Sequence, residues 1–216
     1  MLIPEREVWF DENTVRPSFV LMSMVGAQID YVITKIDREG GCAVASRRKA
    51  LEYRRRKFKK DYHKAGDIIN VHILAVGKRP IMAEAFGWDI TLSQRDVSYC
   101  MVPDMRELYR PGQTCKAVIK SLDEPDGLKI SIKETEPHPF DGADMRHPVG
   151  SRRASKITGK YGGGIFCRLD DSIDCLCLYS PYQQDSDFLI GDEVIVVVTQ
   201  FDYGKKLVYG KVVAKW

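Results

Sequence analysis

The sequence predicts an all-β protein in which one small module is used in series. Three observations carry that expectation. A Gly opens a run of alternating apolar residues, an Asp follows at a fixed spacing, and a polar turn leads into a second apolar run. The pattern occurs as Gly26-AQIDYVITKI-Asp37, Gly112-QTCKAVIKSL-Asp123 and Gly191-DEVIVVVTQF-Asp202. Behind each Asp come REGG, EPDG and YGKK, then AVASRRK, LKISIKE and LVYGKVV. A period of two broken by a polar turn reads as a β-hairpin, with the Asp at the top of its first strand. The same hairpin in series marks a modular array.

The first module spans residues 1–50. Only Met1–Phe10 and a loop precede Gly26. At least two strands of a full barrel are therefore missing from this module. Either the chain starts inside a domain, or the first module is a remnant packed on its neighbour. Residues 51–65 read as a basic helical linker. In SRRKALEYRRRKFKKDYHKAG, Leu51 and Phe58 sit seven apart with Ala50 and Tyr53 nearby, which fits a helix of about four turns. Basic residues crowd Arg47–Lys64, opposed only by Glu52 and Asp61. Such a helix is either a solvated linker or a surface turned toward phosphate, with Arg54, Arg55 and Arg56 as its contacts.

The second module, residues 66–136, runs through DIINVHILAV, PIMAEAF and WDITLSQRDV and crosses VPDMRELYRPG to its hairpin. Residues 137–149 form a Pro-rich linker within EPHPFDGADMRHP. The third module, residues 150–216, adds strands at Ala154–Tyr161, Ile165–Leu169 and Asp174–Tyr179, then the loop Ser180–Ile190. Three strands and a hairpin make five, the strand count of an OB-type barrel. The fold class is thus tandem five-stranded OB-type barrels joined by a basic helix and a Pro-rich linker.

Composition agrees. A chain of 216 residues with 44% hydrophobic content and a net charge of +3 suits a globular protein of several small domains. No apolar run is long enough to cross a membrane, and the start MLIPEREVWF lacks a signal-peptide pattern. The six cysteines do not space like a disulfide framework. Cys175 and Cys177 lie on one strand face, and no second pair completes a zinc site. Reduced, mostly buried cysteines in a cytoplasmic protein are expected, with no cofactor.

Catalytic patterns are wanting. Of the four histidines, His63 lies in the basic helix, His72 in a strand, and His138 and His147 in the Pro-rich linker. No HExxH, G-x-S-x-G or paired-carboxylate pattern accompanies them. The triplet Asp170, Asp171 and Asp174 reads as a solvated hairpin loop. Asp37, Asp123 and Asp202 recur once per module, so they read as turn-shaping residues that bond nearby amides. The Gly-rich stretch Gly162–Gly164 lacks the Gly-Lys-Ser/Thr and the helix of a nucleotide loop.

KITGKYGGGIFCRLDDSIDCLCLYSP followed by GDEVIVVVTQFD resembles the S1 RNA-binding domain, the family named after bacterial ribosomal protein S1. The likeness covers the third module, much of the second, and the rear of the first, VGAQIDYVITKIDREGGCAVASRRKAL. The whole resembles tandem-domain S1-like proteins of Gram-positive bacteria and their phages or mobile elements. The resemblance implies an RNA-binding face. In the third module Tyr161 and Phe166 match its two stacking aromatics, and Asp202 and Lys206 match the acidic and basic positions of the last hairpin. Leu178 falls where the family often has His. The second module has Arg79, Met82 and Ser93 near the equivalent places, and it keeps Asp123 with Leu128 and Lys129 beyond it. The first keeps Asp37, with Gly41 at the basic position. One site is intact, one degenerate and one incomplete.

The residues of the third module allow this without the family. Tyr161 and Phe166 flank three glycines, which leave a tight turn clear of side chains. Two rings on an open sheet face would make a stacking platform, with Lys156, Lys160, Arg168, Lys205 and Lys206 supplying charge for phosphate. The plainer reading makes both rings core residues and the glycines a loop. The function expected is binding of single-stranded RNA, on or near the ribosome, without catalysis. Two alternatives stay open. One is a protein-interaction adaptor that docks on the ribosome or a nuclease. The other is the accessory half of an RNA-degrading enzyme.

Overall fold

Buried and exposed side chains alternate along the strands of the last module in the computed structural model, which describes residues 1–10, 16–58, 62–123, 127–170 and 173–215. A short helix α1 (Ser18–Met22) precedes the first hairpin, β1 (Val32–Asp37) and β2 (Cys42–Ser46). Helix α2 (Arg47–Phe58) leads to β3 (Ile68–Val76), β4 (Ile81–Ala85) and β5 (Trp88–Leu92). Helix α3 (Gln94–Val97) is followed by β6 (Thr114–Asp123) and β7 (Gly127–Ser131). Helix α4 (Ala143–Arg146) opens the last module, β8 (Arg152–Tyr161), β9 (Gly164–Asp170), β10 (Ile173–Leu178), β11 (Glu193–Asp202) and β12 (Leu207–Lys215). The chain divides into two compact units, Met1–Val97 with Asp104–Thr135, and Ser98–Pro103 with Glu136–Trp216.

The second unit is a closed barrel in the order β10-β12-β11-β8-β9. Its strands pair antiparallel except β10 with β12, the parallel pair that closes it. Ile165, Cys167 and Leu169 of β9 point inward, onto Cys175 and Cys177 of β10 and onto Val194, Val196 and Val198 of β11. Gly164 is required where β9 meets β10, because a Cβ there would run into the Cys177 carbonyl. The first unit contains a five-stranded sheet with the same connectivity, β5-β4-β3-β6-β7, whose ends β5 and β7 form no ladder among the described residues. Together these are the tandem five-stranded barrels expected.

The two connecting segments differ from expectation. The basic helix starts at Arg47 and ends at Phe58; Lys59–Asp61 lie outside the described residues. It is packed rather than spanning. Ala50, Leu51 and Phe58 are buried, and the Phe58 ring lies 4.7 Å from Phe86 and 5.1 Å from Trp88. Gly87, at φ +95°, sits so close beneath α2 that a Cβ would strike the Leu51 carbonyl. The Pro-rich segment 137–149 also packs. Phe140 is buried within the core of the second unit, with Ala143 beside it. Its ring meets Phe201 at 5.9 Å and Tyr203 at 5.6 Å.

The first hairpin shares a unit with the second module, and packing accompanies this. Trp9 is buried in a cluster with Leu74, Ala75 and Met82. Truncating a buried phenylalanine costs about 3–5 kcal/mol. Phe140→Ala is therefore expected to lower the unfolding free energy of the second unit by that much, followed by circular dichroism in denaturant. An unchanged transition would return residues 137–149 to the status of a linker.

Candidate nucleic-acid interface

The two rings stand outside the barrel core. With Ile165, Cys167 and Leu169 turned inward, strand alternation leaves Phe166 and Arg168 on the outer face. Phe166 lies opposite Leu176 on β10, and Leu176 lies opposite Tyr209 on β12. The Tyr161 ring, 38% exposed, folds beside the Gly162–Gly163 turn, 5.7 Å from Phe166 at 46° between planes. Leu178, at the position where the resemblance has His, is exposed on the same face. The result is an open apolar and aromatic surface over the second and third strands of the barrel, the face on which such barrels carry oligonucleotides.

Two of the cations assigned to this face are held by the protein itself. Lys160 Nζ donates to the Asp185 and Phe188 carbonyls at 2.6 and 2.7 Å and pairs with the Asp185 carboxylate at 2.7 Å. The Lys160 and Tyr179 hydrogen bonds hold the Asp185 carboxyl below its usual range. Lys160 thereby pins the loop that precedes β11. Arg168 Nε donates to Asp174 at 2.5 Å, and Nη2 donates to the Met101 carbonyl at 2.7 Å. Asp174 also accepts from the Met101 amide at 3.0 Å. The segment Ser98–Pro103 is thus strapped onto the outer face.

The hairpin tip between β11 and β12 offers freer charge. Asp202 Oδ1 accepts from the Lys205 amide at 2.9 Å, and Asp37 Oδ1 accepts from the Glu39 and Gly40 amides at 3.1 and 2.9 Å. Both carboxylates therefore shape turns; the Asp123 side chain lies outside what is described. Lys205 is 72% exposed, and Lys206 is 44% exposed in a 3.1 Å pair with Asp141. Sequence reasoning missed the rings beside this tip. Tyr203 donates to Asp144 at 2.8 Å, and Tyr99 lies 4.2 Å from His138. Their signal was muted because Phe140 and His138 sit among prolines and Tyr99 in a loop.

Register shows why the second module differs. Ile73 and Ile157 both donate to the residue after the hairpin Gly, at 2.8 and 2.9 Å, and a β-bulge follows each. Met82 therefore stands where Phe166 stands, Glu84 where Arg168 stands, and Asp89 where Asp174 stands. Met82 is buried beneath Trp9, Arg79 is exposed, and Ser93 is tied to Asp96 at 2.7 Å. The outer face of this sheet is covered within its own unit.

Helix α2 completes that cover. Arg47, 1% exposed, grips Asp89 through two bonds of 2.9 and 2.5 Å and donates to the Val8 carbonyl at 2.9 Å. Arg54 pairs with Glu84 at 3.1 Å and Asp30 at 2.6 Å. Burial pushes the Glu84 carboxyl up, against the pull of the Gly87 amide and Arg54. Arg55 donates to the Gly87 carbonyl at 2.8 Å and lies 3.3 Å over the Phe10 ring. Of the three candidates on the helix, Arg56 alone stands outward, 80% exposed and 3.9 Å from Glu52.

Among the described residues, no group of three or more His, Cys, Asp and Glu side chains gathers as a metal site. Asp170 instead accepts from the Ile173 amide and pairs with His147 at 2.8 Å; Asp171 lies outside the described residues. The cysteines are unbridged, and burial pushes the Cys100 thiol up to about 11. No helix among the described residues is long and apolar enough to cross a membrane.

No protein-family model matches the chain. Small ribosomal subunit protein bS1 of Neisseria meningitidis is 24% identical over 203 residues, covering 89% of this chain and 36% of that protein. The bS1 of Rickettsia typhi is 25% identical over 202 residues, with 88% and 36% covered. The bS1 of Chlamydia trachomatis is 33% identical over 109 residues, with 47% and 19% covered. The chain is S1-like. It spans about a third of the length of the first two relatives. The solution structure of GSP13 from Bacillus subtilis is 27% identical, covers 30% of this chain and 54% of its own, and superposes with a TM-score of 0.27.

The S1-like second module carries its outer acids buried and paired, which sets a test. Removing one partner of a buried ion pair costs about 3–5 kcal/mol. Arg47→Ala is expected to destabilise the first unit by that amount in denaturant unfolding, while Arg56→Ala leaves it within about 0.5 kcal/mol. Equal, small effects would mean that the helix is a solvated linker after all.

Proposed function

We propose that the chain binds single-stranded RNA through the outer face of its third module. The observation that carries this is the pair Tyr161 and Phe166, outside a core already filled by other side chains. A ring on an open sheet stacks on any unpaired base, whereas bases inside a duplex are already stacked on each other. The S1-like sequence over most of the chain supports the reading, since the relatives it matches are small ribosomal subunit proteins. Association with the ribosome, and with it a cytoplasmic setting, is part of the same proposal.

Charge enters at the hairpin tip. The Lys206 pair with Asp141 is exposed on both sides, so it is worth little and yields readily to a phosphate. Lys205 and Lys206 serve as phosphate contacts, while Lys160 and Arg168 hold the loop and the strap in place. Asp202 shapes the turn that carries both lysines. The second module contributes little to binding, because Met82 is covered and has no flat π-face to offer.

Tyr161→Ala and Phe166→Ala are each expected to weaken binding of a fluorescent single-stranded RNA by about 1–3 kcal/mol, with folding unchanged. Affinity unchanged in both variants would remove the stacking role. The double variant Lys205→Ala, Lys206→Ala is expected to weaken binding of all sequences alike. It should flatten the plot of log affinity against log salt by about 0.7 for each phosphate left without its lysine. A salt slope equal to that of the unaltered chain would move the phosphate path elsewhere.

A further inference from the structure

The three copies of the hairpin differ at one backbone position. Four residues past Asp37 and Asp123 stand Gly41 and Gly127, at φ +63° and +82°. Four residues past Asp202 stands Lys206, at φ +52°. The turn thus takes left-handed backbone in every copy, and only the third places a side chain there. A Cβ makes that conformation costly, so Lys206 gives up stability that a glycine would keep. Backbone strain of this kind collects where a protein binds something.

What Lys206 meets is a carboxylate of its own unit. Its Nζ lies 3.1 Å from Asp141 Oδ1. Three residues on, Asp144 Oδ2 accepts the hydroxyl of Tyr203, on the same hairpin tip, at 2.8 Å. These acids are anchored beside the tip. Phe140, next to Asp141, is buried in the barrel core against Phe201 and Tyr203. Arg146 donates to the Pro139 and Asp141 carbonyls at 2.5 and 3.4 Å, which closes the intervening turn on itself. The two carboxylates nevertheless stay at the surface, with Asp141 60% exposed.

We propose, on the RNA-binding reading above, that Asp141 and Asp144 are an internal brake. They sit on Lys206 and Tyr203 in place of RNA phosphate and give way when a strand arrives. A carboxylate and a phosphodiester each present one negative charge on oxygen acceptors, so one replaces the other on a lysine. Held beside its partner by Phe140, the carboxylate competes at high effective concentration. Exposed pairs are weak and screened by salt, so the brake is partial and eases as salt rises. Its release needs no backbone movement, because both side chains are free to swing toward solvent while Phe140 stays in the core.

The test measures the affinity of the full chain for a fluorescent single-stranded RNA at low and high salt. Asp141→Asn keeps the shape and removes the charge. It is expected to tighten binding about two- to fivefold at low salt, and less at high salt. Adding Asp144→Asn should tighten it further. In a Lys206→Gly background, itself weaker in binding, the gain from Asp141→Asn should vanish. A gain that survives Lys206→Gly is a long-range effect of net charge and overturns the inference. So does an affinity unchanged or weakened in Asp141→Asn, because the carboxylate would then orient the lysine rather than occupy it. Tyr161→Ala, run alongside, separates the brake from the stacking face. If it weakens binding while Asp141→Asn does nothing, the face binds RNA and there is no brake. If Asp141→Asn tightens binding and Tyr161→Ala is neutral, the brake stands and the stacking role falls. If the unaltered chain binds no RNA, binding that appears in the double variant shows a complete brake, and its absence there overturns both.

Discussion

A small barrel fills its core from one set of alternate residues and must leave the other set facing outward. Most of what distinguishes the three modules follows from what covers that second set. In the third module Phe166, Leu176 and Tyr209 form an outward row with Tyr161 and Leu178 nearby, while the strap Ser98–Pro103 is tied to Arg168 and Asp174 and brings the Met101 side chain to Gly159, the residue paired with Phe166. In the second module Trp9 lies over Met82, and every residue of β4 is buried. The first module inverts the problem. Leu2 makes a parallel bridge to Val44 of its hairpin, but among the described residues Tyr31 and Ile33 of its inward set meet no first strand and are exposed.

Covering an outer face is costly where that face is polar, and the first unit resolves this with charge. Glu84 and Asp89 are buried under α2 and the N-terminal segment. A buried carboxylate persists only when paired and hydrogen-bonded. Arg47 and Arg54 provide the pairing, and the Gly87 amide supplies Glu84 with a further bond. The basic content of α2 is thus partly a consequence of the acids beneath it. The third module solves the same place internally, with Arg168 on β9 pairing Asp174 on β10.

The alternation of the hairpins was legible because strand period and burial period coincide. Asp37 and Asp202 were legible as turn residues because a carboxylate two or three residues before an amide bonds it locally. Partners distant in sequence were not legible. Nothing in RRKALEYRRRKF tells that Arg54 meets Glu84 while Arg56 meets solvent. Nor does GKY tell that Lys160 reaches across to the carbonyls of Asp185 and Phe188. The prolines around Phe140 signalled a linker, yet one aromatic ring among them suffices to anchor the segment in a core. Residue type sets what a side chain is able to do, and tertiary contact decides whether it is free to do it.

The outer face of a barrel can serve folding or binding, and the magnitudes explain why one repeat is able to do either. Burying a methionine side chain contributes about 1.5–3 kcal/mol. Stacking one base on an aromatic ring contributes about 1–3 kcal/mol. The two uses of one position are therefore of similar worth, and a module gains no large advantage from either. Met82 and Phe166 occupy the same place in two barrels of the same connectivity. The first holds Trp9 and the N-terminal segment, and its unit gains a covered face. The second stays on the outer face beside Tyr161, where the proposed stacking would draw on it. If the third module binds as proposed, covering one face and leaving the other open divides stability and recognition between modules without changing the fold of either.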